Sequence, residues 1–312
     1  MVTDPLTRTP DIAEVRPEGG SLKDTTGYRV FRVVNVVILT LVCAVTLYPF
    51  LNLIAKAFSS EGFIAAGEVN LIPRGFNTAT FAAVMSDPLF WTNYRNTFVY
   101  TVLGTVIAMA ITTTYAYAIS RPRLKGRTFF VGIAVFTMFF SGGLIPNYIL
   151  VANFLGWRNS MWAIVVPGAL SVFNLLVMKS FFENFPVELE EAASIDGLST
   201  YGVFARIVLP LSKAVIATMT LFYAVSLWNS WFSAFLYLDD KNLFPVTVYL
   251  RNLIAAATGT EAVTGGAGGD AVQIGANIQS VTMLLTVLPI ICFYPFIQKF
   301  FVSGVMLGSV KG

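Results

Sequence analysis

The amino-acid sequence predicts an all-α protein that crosses a membrane several times. Hydrophobic residues make up 56% of its 312 residues and charged residues only 12%, about half of the ~25% that is usual in a soluble domain. Six apolar stretches without a charged side chain are each long enough for a helix of about 20 residues, the length that crosses the hydrocarbon core of a bilayer. We therefore expect a polytopic membrane protein with six transmembrane helices. The spans predicted around these stretches cover about residues 31–54, 97–119, 129–152, 161–181, 212–236 and 280–301.

Two parts of the chain are expected to be irregular. Residues 1–28 are polar, contain prolines and carry both signs of charge, which predicts a disordered tail. The third span contains Gly142, Gly143 and Pro146, and these residues should break or kink a helix. Part of the third span is therefore expected to bend within the bilayer or to leave it.

The basic residues predict which side of the membrane each loop faces. If the N-terminus is cytoplasmic, most of the 20 lysine and arginine residues lie on the cytoplasmic side, as the positive-inside rule requires. The turn RPRLKGR at residues 121–127 is the strongest single marker, because four of its seven residues are basic. Both termini and residues 179–213 are then cytoplasmic.

The six charge-free stretches lack the ionisable groups that several classes of membrane protein need. The chain contains no histidine, and the charge-free stretches hold no acid or base, which argues against a proton-coupled carrier, a voltage sensor and a membrane enzyme. No lysine follows a glycine, so the phosphate-binding loop of an ATPase is missing. Cys43 and Cys292 lie in separate apolar runs and predict neither a disulfide nor a zinc site. We expect no catalytic residue, metal or cofactor in this chain, and the net charge of +3 does not suggest a nucleic-acid partner.

A few polar uncharged residues lie within the spans. Asparagine and tryptophan side chains can line a path for a neutral, hydroxyl-rich solute, and they equally serve as interhelical hydrogen-bonding groups and interfacial anchors. Both interpretations stay open for these residues. The candidates for a substrate path are Asn147, Asn174, Asn229 and Trp228.

One charged segment, FPVELEEAASIDGLSTYGVFARIVLP at residues 185–210, stands between two apolar runs. Pro186 suits the first turn of a helix, and the acids after it lie where the helix dipole favours negative charge. Gly197 is placed to end this helix. Ser199 can cap a second helix that stops at Pro210.

Two interpretations of this segment are possible from its residues alone. The first is a surface helix with a solvated acidic face. The second is a docking element, because the spacing puts Leu189, Ala192 and Ala193 on one face, where small residues allow a partner backbone to approach.

The spacing within this segment resembles the EAA motif of bacterial ABC-importer permeases. Glu191-Ala192-Ala193 is followed by three residues and Gly197, and then by nine residues and Ile207-Val208-Leu209-Pro210. Leu198 departs mildly from the motif, since the family often has alanine there. The resemblance covers roughly residues 30–312. Further stretches that resemble the carbohydrate-uptake branch are SGGLIPNYILV (141–151), VPGALSVFNLLVMKSFF (166–182) and GVMLGSVKG (304–312).

The resemblance implies a type I ABC importer permease fold over residues 29–312, with a cytoplasmic coupling helix. The chain would then be the membrane-spanning subunit of a carbohydrate importer in the bacterial cytoplasmic membrane, working by ATP-driven alternating access. Implied partners are a second homologous permease, two cytoplasmic ABC ATPase subunits that hold ATP and Mg, an extracellular sugar-binding protein and membrane lipid. The residues implied to couple to the ATPase are Glu190, Glu191, Ala192, Ala193, Asp196, Gly197, Leu209 and Pro210.

Three alternatives remain at this stage. An ABC permease for another solute would share the coupling segment but not the resemblance of the third span and C-terminus to the sugar branch. An ion-coupled secondary carrier and a membrane enzyme are disfavoured by the charge-free spans and the missing histidines.

Overall fold

The described part of the chain is helical. A computed structural model describes residues 26–257 and 277–306, and these ranges contain no β-strand, which confirms the all-α class for them. Residues 1–25 of the predicted tail and residues 307–312 lie outside the described residues. The helices are α1 Thr26–Ala57, α2 Glu61–Ala65, α3 Ala79–Ser86, α4 Pro88–Ser120, α5 Arg127–Phe139, α6 Leu144–Tyr148, α7 Trp162–Val165, α8 Val172–Glu183, α9 Val187–Ile195, α10 Thr200–Val203, α11 Leu209–Leu211, α12 Lys213–Trp228, α13 Phe232–Tyr237, α14 Val246–Ala257 and α15 Ile278–Met306. Two π-helical turns, Ile149–Phe154 and Phe204–Val208, follow α6 and α10, and a 3₁₀ turn covers Lys241–Leu243.

The chain divides into two units after Phe50. In the first unit the described residues, 26–50, belong to α1, and their side chains are exposed. α1 is apolar and long enough to cross a membrane. A helix that is hydrophobic on all sides requires apolar surroundings, and a bilayer supplies them.

In the second unit, α4 is the central helix. It is 33 residues long and packs against α8 and α12. A Cβ atom on Gly104 would lie 2.8 Å from Leu227 Cδ1 of α12, so glycine allows the two backbones to approach closely, as small residues do in membrane helix pairs. Small residues on the buried face of α4 include Gly104, Thr105, Ala108, Thr112 and Ala116.

The predicted break in the third span is present. α5 ends at Phe139, and the helix that resumes at Leu144 is bent by 114° from it. Gly143, which precedes α6, has φ +88°, a left-handed conformation that glycine adopts without steric strain. The helices α5 and α6 therefore form a broken span or a re-entrant loop.

Other predicted spans are also interrupted. The region predicted as the fourth span holds α7 and α8, which are separated by residues 166–171. The region predicted as the fifth span holds α12 and α13, which are separated by residues 229–231, and α10–α11 meets α12 at an angle of 82° just before it. Among the described residues, α1 and α4 each suffice to cross a membrane, and counting each bent pair as one span gives up to four. The count of six therefore stays a prediction.

The N-terminal end of α4 is tied to the loop before α14. Asn96 Nδ2 donates to the carbonyl oxygens of Asn242 and Phe244 at 2.6 and 3.2 Å, and Tyr100 Oη donates to the carbonyl oxygen of Leu243 at 2.8 Å. These bonds satisfy carbonyl groups of the 3₁₀ turn and of the residue after it. The loop is consequently attached to α4.

A second contact joins α14 to the start of α4. Tyr249 Oη donates to Asp87 Oδ2 at 2.5 Å, while Asp87 Oδ1 accepts from the Leu89 N–H at 2.8 Å and so caps α4. Burial raises the pKa of Tyr249 above its usual range, and the hydrogen bond to Asp87 raises it further. The phenol is therefore protonated at physiological pH and acts as the donor.

Candidate functional site

The charged segment identified in the sequence folds as a helix, a turn and a second helix. α9 begins after Pro186, and Gly197 follows its end with φ +83°, where glycine is favoured. The N–H groups of Gly197 and Leu198 donate to the carbonyl oxygens of Ser194 and Ala193 at 3.1 and 3.0 Å. This pair of bonds is a Schellman motif, which satisfies the last carbonyl groups of α9.

Ser199 begins the second helix, as its position predicts. Its Oγ accepts a hydrogen bond from the Gly202 N–H at 3.3 Å, which caps α10. The π-helical turn at Phe204–Val208 and then α11, which contains Leu209 and Pro210, follow. The segment thus leads directly into α12, the next long apolar helix.

α9 buries one face that contains Glu190 and Ala193. The two residues are three positions apart, and both are almost fully covered. Leu189 is 43% exposed and Ala192 is exposed, so these two do not share the environment of Ala193, although the sequence spacing placed all three together. The face of α9 that packs against the rest of the chain is therefore the face of Glu190 and Ala193, and not the face of Leu189 and Ala192.

The buried Glu190 forms an ion pair with Arg121, which follows the last residue of α4. Each side chain is only 9% exposed. The guanidinium of Arg121 lies over the ring of Tyr117, 4.7 Å from its centroid, and Tyr117 Oη donates to Glu190 Oε2 at 3.5 Å. A buried acid of this kind requires a partner, because an isolated charge is costly in surroundings of low dielectric.

Aromatic packing surrounds this ion pair. The ring of Tyr117 lies 4.7 Å from that of Phe204 and meets the ring of Phe182 edge-on at 5.9 Å. Phe182 is fully buried in α8. Side chains from α4, α8, α9 and the turn after α10 therefore meet at one place.

The opposite side of α9 is a surface that the rest of the described chain leaves open. Ile195 is 86% exposed and Tyr201, in the next helix, is 85% exposed. These two are the most exposed large apolar side chains among the described residues. We call this the open surface of α9; its other exposed residues are Glu188, Glu191, Ala192, Asp196 and Gly197.

Comparison with known proteins gives matches over nearly the whole chain. Protein LplC of Bacillus subtilis (strain 168) is 40% identical over 292 residues, which cover 94% of this chain and 98% of that protein. The polygalacturonan/rhamnogalacturonan transport system permease protein YtcP of the same organism is 38% identical over 264 residues, covering 85% and 92%. A crystal structure of a bacterial ABC transporter involved in the import of the acidic polysaccharide alginate contains a similar chain. Its TM-score is 0.79 at 32% identity, with coverage of 89% of this chain and 98% of that one.

The chain belongs to the sugar-transport branch of the ABC importer permeases. The resemblance based on the EAA-like spacing is thereby confirmed at the level of the family. No protein-family model matches the sequence. An importer of this family combines such a permease with a partner permease, ATPase subunits and a binding protein.

The structure separates the candidate coupling residues of this permease into three groups. Glu191, Ala192, Asp196 and Gly197 belong to the open surface of α9. Glu190 and Ala193 are buried behind it. Leu209 is half-buried and Pro210 exposed, and both lie in α11 at the approach to α12.

The four candidate path residues have separate surroundings. Trp228 Nε1 donates to the carbonyl oxygen of Thr286 in α15 at 3.2 Å, and Asn229 Nδ2 donates to that of Val225 at 2.9 Å. Asn174 is buried in α8, whereas Asn147 is exposed in α6. Among the described residues no hydrogen bond joins any two of the four, so a common substrate path through them stays a prediction.

Sequence reasoning used Arg121 only as a marker of topology and did not consider Tyr117. Two signals were available in the sequence. Arg121 is a basic residue directly after a long apolar span, and Glu190 lies three positions before Ala193, on the same face of α9. Neither observation identifies the partner, because the two residues are far apart in the chain.

Proposed function

We propose that this chain is the membrane-spanning permease subunit of an ATP-driven importer for a carbohydrate, and that it catalyses no covalent reaction itself. The observation that carries the proposal is the similarity of nearly the whole chain to the permease in the alginate importer. Transport would proceed by alternating access, powered by ATP and Mg on partner subunits, with no cofactor in this chain.

The proposed substrate class is based on those relatives whose names state a transported substrate. Polygalacturonan and alginate are both acidic polysaccharides, and the proteins named for them are 38% and 32% identical to this chain. Relatives named for neutral sugars, such as the maltodextrin transport system permease protein MdxG of Bacillus subtilis, are less similar, at 27%. Acidic oligosaccharides are therefore the first substrates to test, with maltodextrin as the neutral comparison.

The proposed topology has six spans, at about residues 31–54, 97–119, 129–152, 161–181, 212–236 and 280–301, with both termini in the cytoplasm. Two sets of contacts support it. The basic turn at 121–127 touches α9 through Arg121 and Glu190, as expected if both face the cytoplasm. At the far end of α4, Asn96 holds the loop that contains Asn242, as expected if both face outward.

The open surface of α9 is the proposed docking site for one of two cytoplasmic ATPase subunits. It combines acids, small residues and two exposed apolar side chains, Ile195 and Tyr201. Leu209 and Pro210 would pass a displacement of α9–α10 into α12. A second permease and an extracellular sugar-binding protein complete the proposed assembly.

Sugar uptake by membrane vesicles tests this function. Vesicles from cells that make this chain with its partner subunits should accumulate an acidic oligosaccharide only when ATP and the binding protein are supplied. Uptake that follows an ion gradient without ATP would support a secondary carrier and overturn the proposal. ATP-driven uptake of another kind of solute, with no sugar transported, would retain the ABC mechanism but reject the substrate class.

Two substitutions test the docking surface. Glu191→Lys reverses a charge on the open surface, and Gly197→Pro is incompatible with φ +83° because proline requires φ near −65°. We expect both variants to insert into the membrane normally. Both should lower uptake at least about tenfold, which corresponds to a typical coupling free energy between two sites. Glu61→Lys is the matched control, since Glu61 is exposed in α2 on the proposed outer face. Wild-type uptake in both docking variants would refute the assignment.

Thiol labelling tests the topology. After replacement of Cys43 and Cys292 by alanine, a cysteine at Ser199 should react with a membrane-impermeant reagent only from the cytoplasmic side. A cysteine at Lys241 should react only from outside. Labelling of Ser199→Cys from outside would overturn the orientation.

A further inference from the structure

Both ends of α4 are fastened to other elements by polar contacts. At one end the buried pair of Arg121 and Glu190 attaches α4 to α9. At the other, the Val246 N–H donates to Thr97 Oγ1 at 2.7 Å, in addition to the bonds from Asn96 and Tyr100 to the loop before α14. α9 and this loop are therefore both attached to α4, so that a movement of either one acts on the same helix.

α4 itself is continuous between these two attachments. It has 33 residues without a described break, which corresponds to about 50 Å at 1.5 Å per residue and exceeds the ~30 Å hydrocarbon core of a bilayer. By contrast, α5–α6 and α11–α12 are sharply bent. α4 therefore joins the two proposed faces of the membrane without interruption.

The ion pair is suited to hold α9 and α4 together during movement. Separating two buried charges leaves each without compensation, which makes the separated state unfavourable. The planar guanidinium of Arg121 also stacks on Tyr117, so its orientation is fixed by its own helix. Glu190 lies on the buried side of α9, which leaves the open surface free for a partner.

We propose that the Arg121–Glu190 pair is the joint through which displacement of α9 by the ATPase moves α4, and that α4 carries this movement to the loop of residues 241–246 on the outer face. This inference rests on the proposed function and adds a positioning role for two residues of the permease. Arg121 and Glu190 touch neither ATP nor sugar in this scheme. They determine whether hydrolysis is converted into movement at the outer face.

A second ion pair provides a matched control. Arg127 at the start of α5 pairs with Glu183 at the end of α8, close in sequence to the first pair, and these side chains are 31% and 30% exposed. Water reaches this pair and screens it, and Glu183 also pairs with Lys179 at 2.8 Å, so the loss of Arg127 leaves Glu183 with a partner. Arg127→Met therefore removes the same charge near the same proposed face without touching α9.

The test compares coupling and assembly in the complete transporter, reconstituted in liposomes. We expect Arg121→Met and Glu190→Met to assemble and to hydrolyse ATP, while sugar uptake per ATP falls at least about tenfold. The charge exchange Arg121→Glu with Glu190→Arg should recover part of the coupling. Arg127→Met should stay within about twofold of the wild type, as expected for an exposed pair.

A labelling assay reports the outer movement directly. In the cysteine-free background, the reactivity of Lys241→Cys from outside should change on addition of ATP and vanadate, and Arg121→Met should abolish this change. A permease with Arg121→Met that retains wild-type uptake per ATP and the labelling change would overturn the inference.

If a single variant fails to assemble, the double variant Arg121→Met with Glu190→Met is used to test the inference. It leaves neither buried charge of the pair without a partner. ATP hydrolysis without transport in that variant supports the joint, and wild-type coupling rejects it. Absence of ATP-driven uptake in the wild type would instead reject the proposed function, which keeps the two failures distinct.

Discussion

Tyr223 connects three helices of the core, and its replacement should measure how strongly they are joined. Its hydroxyl lies 2.7 Å from Thr112 Oγ1 of α4 and accepts a hydrogen bond from the Ser171 N–H at 3.0 Å. Ser171 in turn caps α8, since its Oγ accepts from the Asn174 N–H at 3.4 Å. Tyr223→Phe removes one oxygen atom and leaves both partners of that oxygen without it.

The expected loss follows from the burial of these groups. Thr112 is fully buried and Tyr223 is 3% exposed, so water does not replace the missing hydroxyl. An unsatisfied buried group costs about 1–3 kcal/mol, whereas interhelical hydrogen bonds within membranes are worth about 0.6–1.7 kcal/mol. We therefore expect Tyr223→Phe to lower the free energy of unfolding by about 1–2 kcal/mol.

The assay is thermal unfolding of the purified permease in one detergent at fixed lipid content. A loss of this size should lower Tm by about 2–4 °C per kcal/mol. Thr112→Val and the double variant complete a cycle, which should give a coupling energy of at least about 0.5 kcal/mol for groups in contact. Tyr201→Phe controls for the loss of a tyrosine hydroxyl at an exposed position. Additive effects of the two single changes, or a Tm unchanged by Tyr223→Phe, would refute the reasoning.

Three further predictions concern how α4 is packed and capped. Gly104→Val should destabilise the permease by about 1–3 kcal/mol through overpacking against Leu227, and Leu227→Ala should restore part of the lost Tm; no rescue would place the clash elsewhere. Asp87→Ala should cost about 1–2 kcal/mol because α4 loses its cap and Tyr249 loses its acceptor. Asp87→Asn, which keeps the capping oxygen, should cost less in the same melting assay, and equal losses would contradict the capping role. Tyr249→Phe should lower the free energy of unfolding by about 1 kcal/mol and leave sugar uptake unchanged. Lost uptake at an unchanged Tm would contradict a purely structural role for the hydrogen bond between Tyr249 and Asp87.

Local features of the fold were predictable from the sequence because each is determined by a few neighbouring residues. Gly197 ends α9 and Gly143 precedes the resumed helix after a sharp bend, both with positive φ, a conformation that strongly favours glycine. Ser199 begins the next helix for the equally local reason that its hydroxyl accepts a backbone N–H. Helix ends of this kind can be read along the chain without knowing the tertiary structure.

Features that depend on partners distant in the sequence were not predictable. The spacing of α9 placed Leu189, Ala192 and Ala193 on one face, yet the chain covers Ala193 together with Glu190, whose charge Arg121 compensates. Similarly, residues 166–171 interrupt the region predicted as a single fourth span, since an apolar composition does not determine whether a helix is continuous. Whether the four candidate path residues line one path also depends on the helices that pack around them, so it stays a prediction.

The contact between Gly104 and Leu227 has a consequence for measuring the transport cycle. Because Leu227 packs against the bare backbone of Gly104, sliding of α4 along α12 would bring a larger side chain of α4 against Leu227 and is therefore opposed by packing. A pair of spin labels placed on α4 and α12 near this contact should therefore report one narrow distance distribution in every nucleotide state. Such a pair would supply a fixed internal reference, against which the distances of labels on other helices can be judged.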